Sequence, residues 1–371
     1  MNKQPKAYLI LDGQWGSCGK GSLALKLALD RKPDVAVVNY GANAGHTGVM
    51  PDGFVLMTQQ LPTGLVCKTA KLLIGPGSMI DPKILKAEID ALEERFHIKS
   101  RLVIHPRAAI ICPEDKTTEQ ALVTIGSTRK GVAAAACRKI MRVPVPGCPR
   151  IAAECIGNLD PVLGELGNFV TTTQHYDDLI AEASLIQVES AQGIELSLSR
   201  GMSYPTCTGR DVTPEQVMND VAVPMRFLTQ TCLVVRTFPI RVGNEYDAQG
   251  KEIGHSGPVF PDMEELTWAK LSEMAGVDLM ERTTVTKKVR RVFTFSEDQL
   301  RHALWIAGPC EIFLNYMNYL DPETTRLRGA KTEAVNFYSR VCSLASSLGS
   351  KVSWLGWGPA YHQVEDLGRG I

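Results

Sequence analysis

The stretch Ala7-Tyr8-Leu9-Ile10-Leu11-Asp12-Gly13-Gln14-Trp15-Gly16-Ser17-Cys18-Gly19-Lys20-Gly21 decides how the chain is read. Ala7 to Leu11 is an apolar run of the length of one buried strand. A glycine-rich turn with one lysine follows, and an apolar helical pattern, Ser22 to Leu29, begins at once. Strand, glycine turn, lysine and helix is the layout that sets backbone N–H groups and a helix N-terminus against phosphate. Glycine suits the turn because no Cβ stands between the backbone and the phosphate oxygens. Lys20 adds a positive point charge. The spacing differs from the standard P-loop, which has four residues between its glycines and Ser or Thr after the lysine. Here five residues separate Gly13 from Gly19, and Gly21 follows Lys20.

A second stretch repeats the pattern. Val35 to Val38 is another buried-strand run, ending in Asn39-Tyr40-Gly41-Ala42-Asn43-Ala44-Gly45-His46-Thr47-Gly48. Two adjacent strands that each end in a glycine-rich polar loop make one crevice at the carboxyl edge of a sheet, where α/β proteins bind ligands. A histidine in such a loop, beside Asn43 and Thr47, is a candidate catalytic group.

Composition limits the partners. Of 371 residues, 40 are Lys or Arg and 40 are Asp or Glu, so no global field draws the chain to nucleic acid or a membrane. Nucleotide chemistry is therefore expected on small molecules. The N-terminus shows no signal-peptide pattern, and no apolar run approaches the ~20 residues of a membrane span. The ten cysteines form no CxxC pair, so neither zinc nor a disulfide framework is indicated, and free thiols in a reducing cytoplasm are expected.

Strand-like and helix-like runs alternate, which predicts an α/β fold with a mostly parallel central sheet, flanking helices and long functional loops. Further strands are expected at Leu72–Ile74, Leu102–Ile104, Leu185–Val188, Cys232–Val235, Ile312–Leu314 and Val352–Leu355. Helices are expected at Pro82–Arg95, where Ile84, Leu85, Ile89 and Leu92 recur at helical spacing, and at Lys331–Leu348. One domain over residues 1–371 is expected.

The first two loops, Gly13-Gln14-Trp15-Gly16 through Gly19-Lys20-Gly21 and Asn43-Ala44-Gly45-His46-Thr47, resemble those of adenylosuccinate synthetase. The resemblance runs in order from Ala7 to about Pro359. The family has Asp-Glu where this chain has Ser17-Cys18, and that Asp is its catalytic base. Serine there resembles the viral branch, which makes N6-succino-2-amino-2′-deoxyadenylate from dGMP and aspartate.

Other motifs carry further implied roles. Ile125 to Gly131 is similar to the family's 5′-phosphate loop, which implies Ser127 and Thr128 as dGMP ligands beside Ser17 and Asn43. Arg142 matches the arginine that the family lends across its dimer, implying a homodimer. Ala133 to Cys137 departs from the family's sequence there. Glu189-Ser190-Ala191-Gln192-Gly193 and Tyr204-Pro205-Thr206-Cys207-Thr208 resemble two family segments that imply Gln192 and Thr208 as monophosphate contacts. Arg241-Val242-Gly243, Gly257-Pro258 and Phe260-Pro261 recur in the family at the same relative places, as framework near the site or in direct contact with it. Thr283 to Arg291 resembles the aspartate loop, implying Thr286, Lys288 and Arg290 as L-aspartate ligands, with Lys288 standing where the family has Arg. A dicarboxylate calls for such concentrated positive charge.

The resemblance implies a triphosphate site of Gly16, Gly19, Lys20, Gly21, Gly45, His46, Thr47, Asn318, Gly358 and Pro359. Magnesium ions are implied as cofactor, with Ser17 and Gly45 as ligands. Asn318 stands where the family's Asp selects GTP, and Tyr316 where it has Lys. Asparagine offers a donor and an acceptor, as adenine requires, so ATP or dATP is the expected cosubstrate. The expected activity joins L-aspartate to dGMP, with Ser17, His46 and Lys20 as the catalytic group. The alternatives are an ordinary adenylosuccinate synthetase acting on IMP with GTP, and an inactive nucleotide-binding relative. Retention of Lys20, His46, Arg142 and Arg290 weighs against the second.

Overall fold

The computed structural model describes residues 4–122, 128–142, 144–247, 249, 251–282 and 288–368. A nine-stranded sheet organises them. Its spatial order is Val364–Asp366, Lys351–Gly356, Glu311–Asn315, Leu228–Arg236, Lys6–Asp12, Leu185–Glu189, Val35–Val38, Lys71–Ile74 and Leu102–Ile104. Every neighbouring pair is parallel except at one edge, where Lys351–Gly356 meets Val364–Asp366 antiparallel.

The apolar run at Ala7 to Leu11 reads as continuous because both faces of the sheet are covered. Ala7, Leu9 and Leu11 pack with Val188, Val235 and Leu300 on one face. Tyr8 and Ile10 pack on the other with Leu23, Ala24 and Leu27 of helix Lys20–Arg31. That helix begins two residues earlier than the apolar pattern predicts. Gly19 occupies the left-handed region at φ 93° just before it, so the glycine loop runs directly into the first turn. Helix Pro82–Phe96 starts on Asp81, whose carboxylate accepts from the N–H groups of Lys83 and Ile84, and buries Leu85, Ile89, Leu92 and Phe96. The late helix spans Thr332–Ser347.

One expectation is corrected. The strands Lys6–Asp12 and Val35–Val38 are not adjacent, because Leu185–Glu189 hydrogen-bonds to both and lies between them. Apolar runs mark a strand as buried without marking its neighbour. The chain builds outward from Lys6–Asp12 on one side, returns to insert Leu185–Glu189, then builds outward on the other side from Leu228–Arg236. Lys6–Asp12 is thus the point where strand order reverses, the place where open parallel sheets bind ligands at their carboxyl edge. No helix among the described residues is long and apolar enough to cross a membrane.

Candidate active site

Asp12 shapes the first loop. Its fully buried carboxylate accepts from the backbone N–H groups of Gln14 at 2.9 Å, Gly16 at 3.0 Å and Cys18 at 3.1 Å. The chain turns around this one anion, with Gly16 at φ 91° and Gly19 at φ 93°. Two neighbouring loops press against it. A Cβ on Gly21 would lie 2.6 Å from the carbonyl oxygen of Thr47, and one on Gly193 would lie 2.4 Å from that of Gln14. The helix N-terminus, the His46 loop and the loop after Leu185–Glu189 therefore meet at distances only glycine permits.

They open onto a cavity of about 410 Å³. All ten residues expected at the triphosphate line it: Gly16, Gly19, Lys20, Gly21, Gly45, His46, Thr47, Asn318, Gly358 and Pro359. Ser17 and Arg290 line it too. Five separate chain regions supply these groups, and the sheet's topology brings them together. Gly358 and Pro359 are held at the His46 loop, where the Pro359 carbonyl accepts from the Val49 N–H at 3.3 Å.

His46 is buried and stacks on Tyr40 with ring centroids 4.4 Å apart. The Tyr40 hydroxyl donates to buried Glu189 at 2.9 Å, which fixes the stacking partner. Burial, and then the Lys20 charge, hold the His46 imidazole well below its usual range, so it is neutral at physiological pH. Its Nδ1 is buried with no hydrogen-bond partner. Lys20 lies beneath the loop: its Nζ bonds Asp12 at 3.2 Å and the carbonyls of Gly16 at 2.9 Å and Gln192 at 2.8 Å. It locks the loop as well as supplying charge.

A second layer escaped the sequence reading. Arg236, fully buried at the end of strand Leu228–Arg236, donates to the Ser17 carbonyl at 2.9 Å and pairs with Glu281. Its guanidinium lies 3.7 Å from the Tyr316 ring centroid, and the Tyr319 hydroxyl donates to Glu281 at 2.8 Å. The Arg236 charge holds the Glu281 carboxyl below its usual range against the opposing effect of burial. Glu281, Tyr316 and Tyr319 all line the cavity. Asn315 closes the same wall: it donates to the Cys18 carbonyl at 2.9 Å, and a Cβ on Gly19 or Gly356 would overlap its amide. Arg236 sits at the end of an apolar strand, where its type gives no motif. Replacing Arg236 with Ala strands Glu281 and loosens Ser17. The expected cost is ~3–5 kcal/mol of stability, read by urea unfolding. A loss under ~1 kcal/mol removes Arg236 from this role.

Arg241 is held among loop carbonyls. Its buried guanidinium donates to the carbonyls of Ser256, Pro258 and Thr206 and lies 4.9 Å from the Trp15 ring centroid. Burial, and then Arg291, push it down to about 10.

The residues expected at the monophosphate are less concentrated. Gln192, at φ 64°, touches the first loop through its carbonyl bond to Lys20. Asn43 is half-buried beside Gly41, and the Thr208 N–H donates to the Leu196 carbonyl at 2.7 Å. Thr128 lines a separate cavity with Asp81, Lys116 and Arg129. Arg142 is exposed and caps helix Val132–Met141 at φ 60°. Lys288 is exposed and is not among the cavity's lining residues. Ser127 and Thr286 lie outside the described residues.

The adenylosuccinate synthetase family model matches residues 9–148. The chain is 39% identical over 330 residues to the N6-succino-2-amino-2′-deoxyadenylate synthase of Salmonella phage PMBT28, covering 87% of this chain and 88% of that one. It is 36% identical over 360 residues to the protein of the same name from Vibrio phage phiVC8, covering 96% and 97%. Among solved structures, the succinoaminodeoxyadenylate synthetase of Cyanophage S-2L, bound to dGMP and dATP as an energy donor, superposes with a TM-score of 0.81 at 33% identity. That match covers 98% of this chain and 95% of the other. With a sheet, a switch-point cavity and relatives that agree over nearly its whole length, the chain belongs to the adenylosuccinate synthetase family.

Proposed function

We propose that this chain is a ligase that joins the amine of L-aspartate to C6 of dGMP, using ATP or dATP, and yields N6-succino-2-amino-2′-deoxyadenylate. The observation that carries the reading is that Ser17, Lys20, His46 and Asn318 line one cavity, with serine where the family has a carboxylate. The names of the phage relatives, and the dGMP and dATP in the cyanophage structure, support it.

In the first step the 6-oxygen of dGMP attacks the γ-phosphorus, and the bond to the departing nucleoside diphosphate breaks. Charge spreads over the transferring phosphoryl oxygens. Neutral His46 donates an N–H to that charge, and backbone N–H groups of the glycine loop hold the oxygens behind it. Lys20 keeps the loop in shape through Asp12 and the carbonyls of Gly16 and Gln192. In the second step the aspartate amine adds to C6, the C6–O bond breaks, and phosphate leaves while the amine gives up its proton. Arg290 lines the cavity and receives the dicarboxylate, and the family resemblance adds Lys288 and Thr286. No carboxylate at position 17 accepts the N1 proton, which passes to water as the 6-oxygen becomes phosphorylated.

Magnesium suits this lining. Ser17 and Gly45 offer a hydroxyl and a carbonyl, and Glu281, the one acidic residue among the described lining groups, is committed to Arg236 and Tyr319. A hard cation carried by phosphates and waters needs few protein oxygens. When bound it neutralises charge between the phosphates.

The test is phosphate release with dGMP or IMP crossed against ATP, dATP or GTP. Turnover is expected with dGMP and an adenine nucleotide. Asn318→Asp is expected to shift preference toward GTP by on the order of tenfold, since a carboxylate accepts from guanine but faces adenine's acceptors unfavourably. Faster turnover of the unaltered enzyme with GTP would falsify the reading of Asn318.

We further propose a homodimer in which Arg142 reaches the partner's nucleotide. Its support is that Ile140 and Met141, just before it, are large apolar side chains left 74% and 62% exposed. Mixing Arg142→Ala protein with His46→Ala protein is expected to restore activity through hybrid dimers. Mixtures that never exceed their components rule out a shared site.

A further inference from the structure

Outside the cavity, Cys112, Glu114 and Cys148 place three ligand atoms within 4.8 Å of one another. Cys112 and Glu114 are two residues apart, but Cys148 lies 34 residues beyond Glu114, so no CxxC spacing announces the group. Cys112 directly precedes helix Pro113–Leu122, and Cys148 follows Arg142 in the next loop. Both thiols are buried and Glu114 is exposed.

One side chain organises the cluster. Arg138, buried within helix Val132–Met141, donates to the carbonyls of Ile110 at 2.7 Å, Pro149 at 2.9 Å and Cys148 at 3.4 Å. It thereby fixes the backbones that carry both cysteines. Its Nη2 also lies 3.7 Å from the Cys112 sulfur, and Asp115 balances its charge at 2.8 Å. The Cys148 thiol donates to the Glu114 carboxylate at 2.8 Å. The guanidinium thus holds the backbone beside both cysteines and donates toward the Cys112 sulfur, as an outer partner of a metal ligand would.

We propose that Cys112, Cys148 and Glu114 form a binding site for a borderline-soft divalent metal of the zinc class. Binding forms two metal–sulfur bonds and one metal–oxygen bond and releases both thiol protons to solvent. The proton that Cys148 now shares with Glu114 leaves in the same step, which frees the carboxylate to ligate. The exposed side of Glu114 admits a water as fourth ligand, completing a tetrahedron. Thiolates discriminate against magnesium, so this site is separate in chemistry from the phosphate-bearing cavity. Its place is structural: it ties the start of helix Pro113–Leu122 to the loop after Arg142.

The experiment titrates the reduced, chelator-stripped full chain with Co²⁺ alone. A near-ultraviolet thiolate-to-cobalt charge-transfer band is expected, saturating at ~1 metal per chain and bleached by Zn²⁺. Cys112→Ser and Cys148→Ser each abolish it. In the unaltered chain, Zn²⁺ is expected to block iodoacetamide labelling of Cys112 and Cys148, read peptide by peptide, so the result does not depend on the variants folding. Absence of the band, a band surviving both serine substitutions, or labelling of the two cysteines unchanged by Zn²⁺ overturns the proposal. So does a Cys112–Cys148 disulfide that persists under reductant.

Discussion

Turnover of dGMP by a His46→Ala enzyme is expected to fall ~10²-fold or more, with triphosphate binding largely intact. The imidazole lines the cavity among the glycine loop residues, and its ring is positioned by Tyr40, itself anchored on Glu189. Such a group contributes most when charge develops on the transferring phosphoryl, so its removal lowers kcat more than it raises KM. The pH dependence has a defined sign. Burial and Lys20 depress the His46 pKa, so the free enzyme keeps the neutral form at and above the ordinary histidine range. The His46 limb of kcat/KM therefore lies on the acid side, below pH ~6.5, where protonation adds a second cation beside Lys20. A loss under tenfold on substitution, or a His46-dependent limb above pH ~7, takes His46 out of the catalytic group.

Ser17→Asp is expected to lower dGMP turnover by on the order of tenfold to a hundredfold and to raise the relative use of IMP. The position is well defined, because Arg236 grips the Ser17 carbonyl while the residue lines the cavity. A serine hydroxyl is short and neutral, and it both accepts and donates, so it can satisfy guanine's 2-amino group without crowding it. A carboxylate is larger and charged, and IMP has only hydrogen at that carbon. Discrimination then runs through unmatched polar groups, which separate substrates more strongly than small differences in apolar bulk. The measurement is phosphate release with each monophosphate in the presence of aspartate and ATP. If the unaltered enzyme prefers IMP, the dGMP assignment fails and the ordinary biosynthetic reaction takes its place.

Much of the cavity was legible along the chain. Ala7 to Leu11 declares a buried strand because both faces are apolar, and Gly16, Gly19 and Gly21 declare a close approach because no other residue fits at their φ angles or contacts. Asn318, Gly358 and Pro359 were placed by resemblance and do line the cavity with His46 and Lys20. Local chemistry of this kind survives in sequence because it depends on residue type and short spacing.

Other features depend on which strand lies beside which, and that is a long-range choice. The insertion of Leu185–Glu189 between Lys6–Asp12 and Val35–Val38 brings Gln192 and Gly193 against the first loop, which no local pattern records. Asp12 reads in sequence as an ordinary strand end, yet folded it is the anion around which the loop turns and to which Lys20 is tied. Arg236 reads as a lone charge after apolar residues, yet burial obliges it to find Glu281 and the Ser17 carbonyl. The residue types that line the cavity were thus written locally. Tertiary structure alone decided which buried charges pair beneath them, because a charge removed from water takes whatever partner the packing brings within reach.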